Sequence, residues 1–174
     1  MIYLLSLGSN IGDRKRNLAR ARRLLEKNGV AVLKASSVYR TEPVDVREQP
    51  WFDNQVLKVL TGRRPHELLA LAKSIEAALG RVATVKKGPR TIDIDILLAE
   101  DTILETPELT IPHPRMAARN FVLIPLREIA PGAVHPVLMK TVRELAAASP
   151  DSSAIFRVKS RSLRPGPRAQ PKTG

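Results

Sequence analysis

Cysteine is missing from this chain of 174 residues, which excludes disulfides and thiolate metal sites and gives no reason to expect an oxidising compartment, so a cytoplasmic location is expected. Long apolar runs are missing too: nothing approaches the roughly 20 residues that a membrane span requires. The opening Met-Ile-Tyr-Leu-Leu-Ser-Leu-Gly lacks the basic lead and cleavage site of a secretory signal, and no membrane partner is expected. Aromatics are scarce, with one Trp, two Tyr and three Phe, too few for a platform that stacks the bases of single-stranded nucleic acid. The pattern Gly-x-x-x-x-Gly-Lys-Ser/Thr is absent, so any phosphate must be held without a P-loop.

Acidic residues are outnumbered, 17 against 29 Lys and Arg, for a formal charge of +12. That balance suggests nucleic acid or a small polyanion as partner. Its distribution favours the second. No acid follows Asp151, yet Arg157, Lys159, Arg161, Arg164, Arg168 and Lys172 supply half of the net charge, which leaves the body only modestly basic. Residues 161–174 are Pro-rich, basic and nearly free of apolar side chains, and read as a disordered tail. Residues 1–160 are long enough to bury a core and show no repeat or linker, so they read as one domain.

Within that domain, Ile2 to Leu7 is an apolar strand ended by Gly8-Ser9-Asn10. Leu18, Ala21, Leu24 and Leu25 follow at helical spacing, with Asp13 in the first turn and Asn28-Gly29 as the stop. Val30 to Tyr39 is a second strand, and 41–50 a long loop without periodicity. Phe52 to Leu60 reads as a strand. A helix from Pro65 to Gly80 has its core stripe on Leu68, Leu71, Ala72, Ile75 and Leu79, with Lys73 and Glu76 on another face. The next strand turns at Glu100-Asp101 toward a hairpin with Thr102 to Leu104, and a short helix ends at Ile129. Two strand-helix-strand units predict a layered α+β fold, with helices on one side of a mostly antiparallel sheet.

The most informative segment is Gly88-Pro89-Arg90-Thr91-Ile92-Asp93-Ile94-Asp95-Ile96-Leu97. In an extended strand, alternate side chains share a face, so Asp93 and Asp95 project together, roughly 7 Å apart at Cα. Asp is depleted in strands because its side chain competes for backbone hydrogen bonds. Two of them in the most apolar strand suggest a site for Mg²⁺, which takes one or two carboxylates plus phosphate oxygens. The competing reading is the solvated face of an edge strand. The cations available for phosphate are Arg81, Lys86, Lys87, Arg90, Arg115 and Arg119, with Arg90 best placed. His113, between two prolines, reads on its own as a turn-packing residue.

Leu7-Gly8-Ser9-Asn10 with Gly12, Ser37-Val38-Tyr39-Arg40-Thr41-Glu42-Pro43, Asn54 after Phe52, Glu76 with Gly80-Arg81-Val82, the segment from Gly88 to Leu97, and Pro112-His113-Pro114-Arg115-Met116 with Arg119 and Phe121 occur in that order. From Ile2 to about Pro136 the chain resembles the 6-hydroxymethyl-7,8-dihydropterin pyrophosphokinase family. The resemblance implies a ferredoxin-like fold, with ATP and a pterin bound side by side. It also implies Mg-dependent transfer of the β,γ-diphosphate of ATP to the pterin's hydroxymethyl group, releasing AMP, in folate biosynthesis. Asp93 and Asp95 then resemble the ligands of two Mg²⁺ ions, and Arg81 and Arg90 the catalytic arginines. Thr41, Pro43, Val44, Phe52, Asn54 and Phe121 map to the pterin site. Lys73, Glu76, Lys87, Arg90, Ile96, Thr110, His113 and Arg119 map to ATP. The sequence departs from the family where many members carry Arg and Trp: here stand Ala83 and Lys87, and Lys86 or Lys87 is expected to replace part of the lost charge. The implied partners are these small molecules alone, with no nucleic acid, and the implied state is a monomer. A basic RNA-binding module on the same fold and another metal-dependent nucleotidyltransferase are the alternatives.

Overall fold

The computed structural model describes residues 1–44, 48–81 and 88–159. In chain order the elements are β1 (Ile2–Ser9), α1 (Arg14–Lys27), β2 (Ala31–Ala35), β3 (Tyr39–Thr41), β4 (Phe52–Leu60), α2 (Pro65–Ala78), β5 (Asp93–Ala99), β6 (Leu104–Glu105) and β7 (Thr110–Ile111). A 3₁₀ turn (Met116–Ala118), α3 (Asn120–Ile129), β8 (Val134–His135), β9 (Lys140–Thr141), α4 (Val142–Ala147) and β10 (Ile155–Arg157) complete the order. The expected tail at 161–174, and Ala83, Lys86 and Lys87, lie outside the described residues.

The main sheet is antiparallel throughout and ordered β10-β3-β4-β1-β5, with β2 also paired to β4. β1-α1-β2 and β4-α2-β5 are interleaved, each pair of strands split by a strand of the other unit. This is the ferredoxin-like arrangement that the resemblance implies. The helices start where their caps allow. Asp13 accepts a hydrogen bond from the Arg16 N–H at 3.0 Å to open α1, and Gly29, at φ +80°, closes it beyond Asn28.

Strand alternation sends Tyr3, Leu5, Leu7, Ile94 and Ile96 to one face, against Leu18, Ala21 and Leu25 of α1 and Leu68, Ala72 and Ile75 of α2. Leu7, Leu57 and Ile94 are fully buried, and truncating such a side chain to Ala costs about 2–5 kcal/mol. On the opposite face Leu4, Val56, Leu97 and Leu98 pack beneath Val122, Leu126 and Ile129 of α3 and Val142 of α4. The sheet is therefore covered on both faces, not on one as expected. A bulge makes this possible: Leu4 pairs with Leu98 but Leu5 with Ile96, so Leu97 is the extra residue, and two consecutive leucines reach the α3 side. Beyond the reach of α3, the same face carries Ser6, Gly8, Asn54, Asp93 and Asp95, which are cross-strand neighbours in register.

Three local expectations change. Gly8 and Ser9 are strand residues of β1, and the chain turns only after them. The strand expected from Val30 to Tyr39 breaks at Ser36, whose hydroxyl accepts from the Val56 N–H at 2.9 Å in place of a carbonyl; pairing resumes at Tyr39. The turn at Glu100, with φ +49°, does not lead into a hairpin with β5; β6 pairs with β7 instead, Leu104 opposite Ile111. No helix among the described residues is long and apolar enough to cross a membrane.

Candidate active site

Ser6 and Gly8 of β1, Asn54 of β4 and the carboxylates of β5 floor a cleft whose walls come from loops. At one end β5 presents Asp93 and Asp95, both partly buried and on one face, as the alternation predicts. β5 is an edge strand of the main sheet, yet its acidic face meets charged side chains. Asp93 Oδ1 accepts from Arg81 Nη1 and Asp93 Oδ2 from Arg90 Nη1, each at 2.6 Å. Burial, followed by the Asp93 charge, pushes the Asp95 carboxyl up to about 6, since two neighbouring anions in a desolvated cleft repel.

Each arginine is held from behind. The Arg90 N–H donates to Asn10 Oδ1 at 2.8 Å while the Asn10 N–H donates to the Arg90 carbonyl at 3.1 Å, a reciprocal staple that fixes the turn before β5. Arg81 emerges past Gly80, at φ +81°, and bridges Asp93 to Glu76. Burial opposes its charge, but Asp93 and Glu76 together outweigh that and hold it charged. Glu76 is buried; it accepts from the Ile94 N–H at 2.7 Å and from Lys73 Nζ at 3.1 Å. It joins α2 to β5 and acts on the cleft through Arg81 and Lys73.

At the other end Phe52 and Phe121 line the cleft, Arg90 lying 5.8 Å from the centre of the first ring and Arg119 5.3 Å from that of the second. Between them Asn54 Nδ2 donates to Thr41 Oγ1 at 2.7 Å. A Cβ on Gly8 would stand 2.8 Å from Asn54 Oδ1, so only glycine lets that amide reach the floor. His113 enters on a loop pinned by its own N–H to the Leu97 carbonyl at 2.9 Å. Burial, and then the charges of Arg119 and Arg115, push its pKa down to about 4. The ring is neutral, and because Nδ1 accepts from the Arg115 N–H at 3.2 Å, its proton sits on Nε2.

Thr41, Val44, Phe52, Asn54, Phe121, Lys73, Arg81, Arg90, Asp93, Asp95, His113 and Arg119 thus line one cleft. Pro43 is buried beside it. The Ile96 side chain points into the α1/α2 core, and Thr110 pairs with Glu105 in β7, so neither lines the cleft by its side chain. Lys87 lies outside the described residues. Ser6, Gly8, Glu42, Gln49 and Arg115 also line it. Arg115 was among the cations the sequence offered for phosphate; Ser6, Gly8, Glu42 and Gln49 were given no site role because each is ordinary in its own neighbourhood, and for Gly8 the signal lay in its register opposite both Asn54 and Asp93.

No group of three or more His or acidic residues able to hold a metal occurs among the described residues. The two carboxylates of β5 are the side chains of the cleft that could share a hard cation with substrate oxygens and water. That donor set suits Mg²⁺, which keeps waters and shares phosphate oxygens with one or two carboxylates.

The family model for 7,8-dihydro-6-hydroxymethylpterin-pyrophosphokinase matches residues 4–131. A 2-amino-4-hydroxy-6-hydroxymethyldihydropteridine pyrophosphokinase of Methylorubrum extorquens is 46% identical over 155 residues, 88% of this chain and 96% of that protein. The Bacillus subtilis protein of the same name is 48% identical over 129 residues, 74% of this chain and 77% of its own length. The folic acid synthesis protein FOL1 of Dictyostelium discoideum is 41% identical over 90% of this chain, which spans only 24% of that longer protein. Among solved structures, a Plasmodium falciparum HPPK-DHPS crystallised with pterin and p-hydroxybenzoate has a TM-score of 0.67 at 20% identity, covering 84% of this chain and 43% of that one. At that identity the likeness concerns the fold.

Proposed function

Because the chain belongs to the 7,8-dihydro-6-hydroxymethylpterin-pyrophosphokinase family, we propose that it moves the β,γ-diphosphate of ATP onto the hydroxymethyl oxygen of 6-hydroxymethyl-7,8-dihydropterin, releasing AMP, in folate biosynthesis. The observation that carries this reading is the polarity of a single cleft, with two phenyl rings and an amide at one end and two carboxylates with two arginines at the other. A flat heterocycle with a polar rim fits the first end, since stacking supplies area and a few fixed hydrogen bonds select orientation. A polyphosphate with its cation fits the second.

In the proposed reaction the hydroxymethyl oxygen bonds to the β-phosphorus, the bond from that phosphorus to the α,β-bridging oxygen breaks, AMP leaves with that oxygen, and the hydroxyl proton is released. Phe52 and Phe121 hold the pterin between them, and Asn54, Thr41, Pro43 and Val44 satisfy its edge. Lys73, His113 and Arg119 contact ATP, with Nε2–H of His113 as a donor. Ile96 and Thr110 contribute backbone groups, and Lys87 adds charge; Glu76 acts by aiming Arg81 and Lys73. Asp93 and Asp95 would hold the two Mg²⁺ ions of this reading, which would supply neutralisation of phosphate charge, since phosphoryl transfer depends chiefly on positioning and electrostatics.

Arg81 and Arg90 both pair with Asp93. In the proposed reaction these guanidinium groups exchange the carboxylate for phosphate oxygens, which would leave Asp93 to the cation. The proposed partners are these small molecules, with the chain acting as a monomer and no nucleic acid required.

Purified protein with ATP and Mg²⁺ is expected to form AMP only when the hydroxymethylpterin is added, and EDTA is expected to stop it. Formation of AMP without pterin, or turnover undiminished by EDTA, contradicts the reading.

A further inference from the structure

Residues 151–158 lie beyond the stretch matched by the family model and do not line the cleft, yet they grip three walls of its aromatic end. The Asp151 carboxylate accepts from the Asn120 N–H at 2.7 Å and from the Ser153 N–H at 2.8 Å; the Asn120 amide donates to the Asp151 carbonyl at 2.5 Å. Asn120 directly precedes Phe121. Three residues after Asp151, the Glu42 N–H donates to the Ala154 carbonyl and the Ala154 N–H to Glu42 Oε2, both at 3.1 Å. β10 then pairs with β3, placing Ile155 opposite Thr41. Phe156, half exposed, sets its ring 5.4 Å from that of Trp51, the residue before Phe52.

α3 explains why such a strap is needed. Its own N-cap, Arg119, makes no side-chain capping bond, so the Asn120 N–H at its first position needs an acceptor from outside the helix. Asp151, 31 positions away, supplies the missing acceptor and a negative charge at the positive end of the helix dipole. Phe121 sits in that first turn, so the direction of its ring depends on how the turn is anchored.

We propose that Asp151 is a positioning residue and that, with β10, it sets the spacing between Phe121, Phe52 and the Thr41–Glu42 edge for the pterin. This rests on the pterin reading above. The strap makes no hydrogen bond to Asp93, Asp95, Arg81 or Arg90, and Arg119 is the one ATP position whose charge acts on Asp151, so its loss falls chiefly on the pterin. Asp151→Ala is expected to raise the KM for the hydroxymethylpterin roughly tenfold, with kcat and the KM for ATP changed less than about twofold. Asp151→Asn, which keeps an acceptor, is expected to restore most of the affinity. Phe156→Ala removes an exposed ring without emptying a core, and is expected to raise the same KM, so the test survives if Asp151→Ala fails to fold.

Titrating hydroxymethylpterin into the full-length wild type by calorimetry separates the possible failures. A wild type that binds no pterin overturns the functional reading and this inference with it. A wild type that binds, beside folded Asp151→Ala or Phe156→Ala proteins of unchanged pterin affinity, overturns the strap alone. Equal losses for pterin and ATP also overturn it, because they mark a merely structural role.

Discussion

At the scale of single residues, Asp95 shows a conflict between stability and chemistry. It is held in a desolvated position beside Asp93, where its charge is unfavourable, while the proposed reaction needs that charge for a cation. Asp95→Asn is therefore expected to lower kcat at least about a hundredfold, as loss of a transition-state stabiliser does. The same change is expected to raise the melting temperature in metal-free buffer at pH 7, because it deletes a repelled buried charge. A falling melting temperature would mean that Asp95 is a structural anchor. The pairing of Asp93 with Asp95, and the presence of Arg90 before them, were legible because they are neighbours in sequence and strand alternation fixes their face. The staple between Asn10 and Arg90 was not, because 80 positions separate the two and an Asn after a strand reads first as a turn residue.

At the scale of elements, α3 is placed by electrostatics as well as by its apolar stripe. Glu128 on its last turn accepts from the Ser37 N–H and hydroxyl and from the Tyr39 hydroxyl at 2.8–3.2 Å, which locks the helix to the approach of β3. Burial alone would raise its pKa; the bonds from Ser37 and Tyr39 outweigh burial, and the carboxyl lies below its ordinary 4.5. A carboxylate with a lowered folded pKa stabilises above its unfolded value, and that stability is lost as pH falls through the folded value. Glu128→Gln is thus expected to cost about 1 kcal/mol at pH 7, the site being partly exposed. In urea unfolding, the gap from wild type should close as pH drops below the carboxylate range; a gap independent of pH would assign the effect to packing. Periodicity identified α1 and α2, and Pro131-Gly132 marked the end of α3. It could not identify β10 or the break at Ser36, since three-residue pairings and a hydroxyl standing in for a carbonyl leave no periodic trace.

At the scale of the whole molecule, two interleaved strand-helix-strand units leave one patch of the sheet uncovered, and the residues in register there come from β1, β4 and β5. The layered class was legible from the alternation of elements. The covering of the second face was not, because it depends on the extra residue Leu97, which turns two successive leucines toward α3. Half of the net positive charge follows Asp151, and most of that follows Lys159 in the sequence. A chain ended at Lys159 is accordingly expected to keep kcat and both KM values within about twofold; loss of activity would show that residues 160–174 serve the reaction. The most direct measurement of the central claim is the ³¹P spectrum of the products of ATP, Mg²⁺ and hydroxymethyldihydropterin. The account predicts AMP together with a pterin ester carrying two mutually coupled phosphorus signals, one for each phosphate of the transferred unit. ADP with a pterin ester of one phosphorus, or a pterin carrying a nucleoside monophosphate, would contradict it.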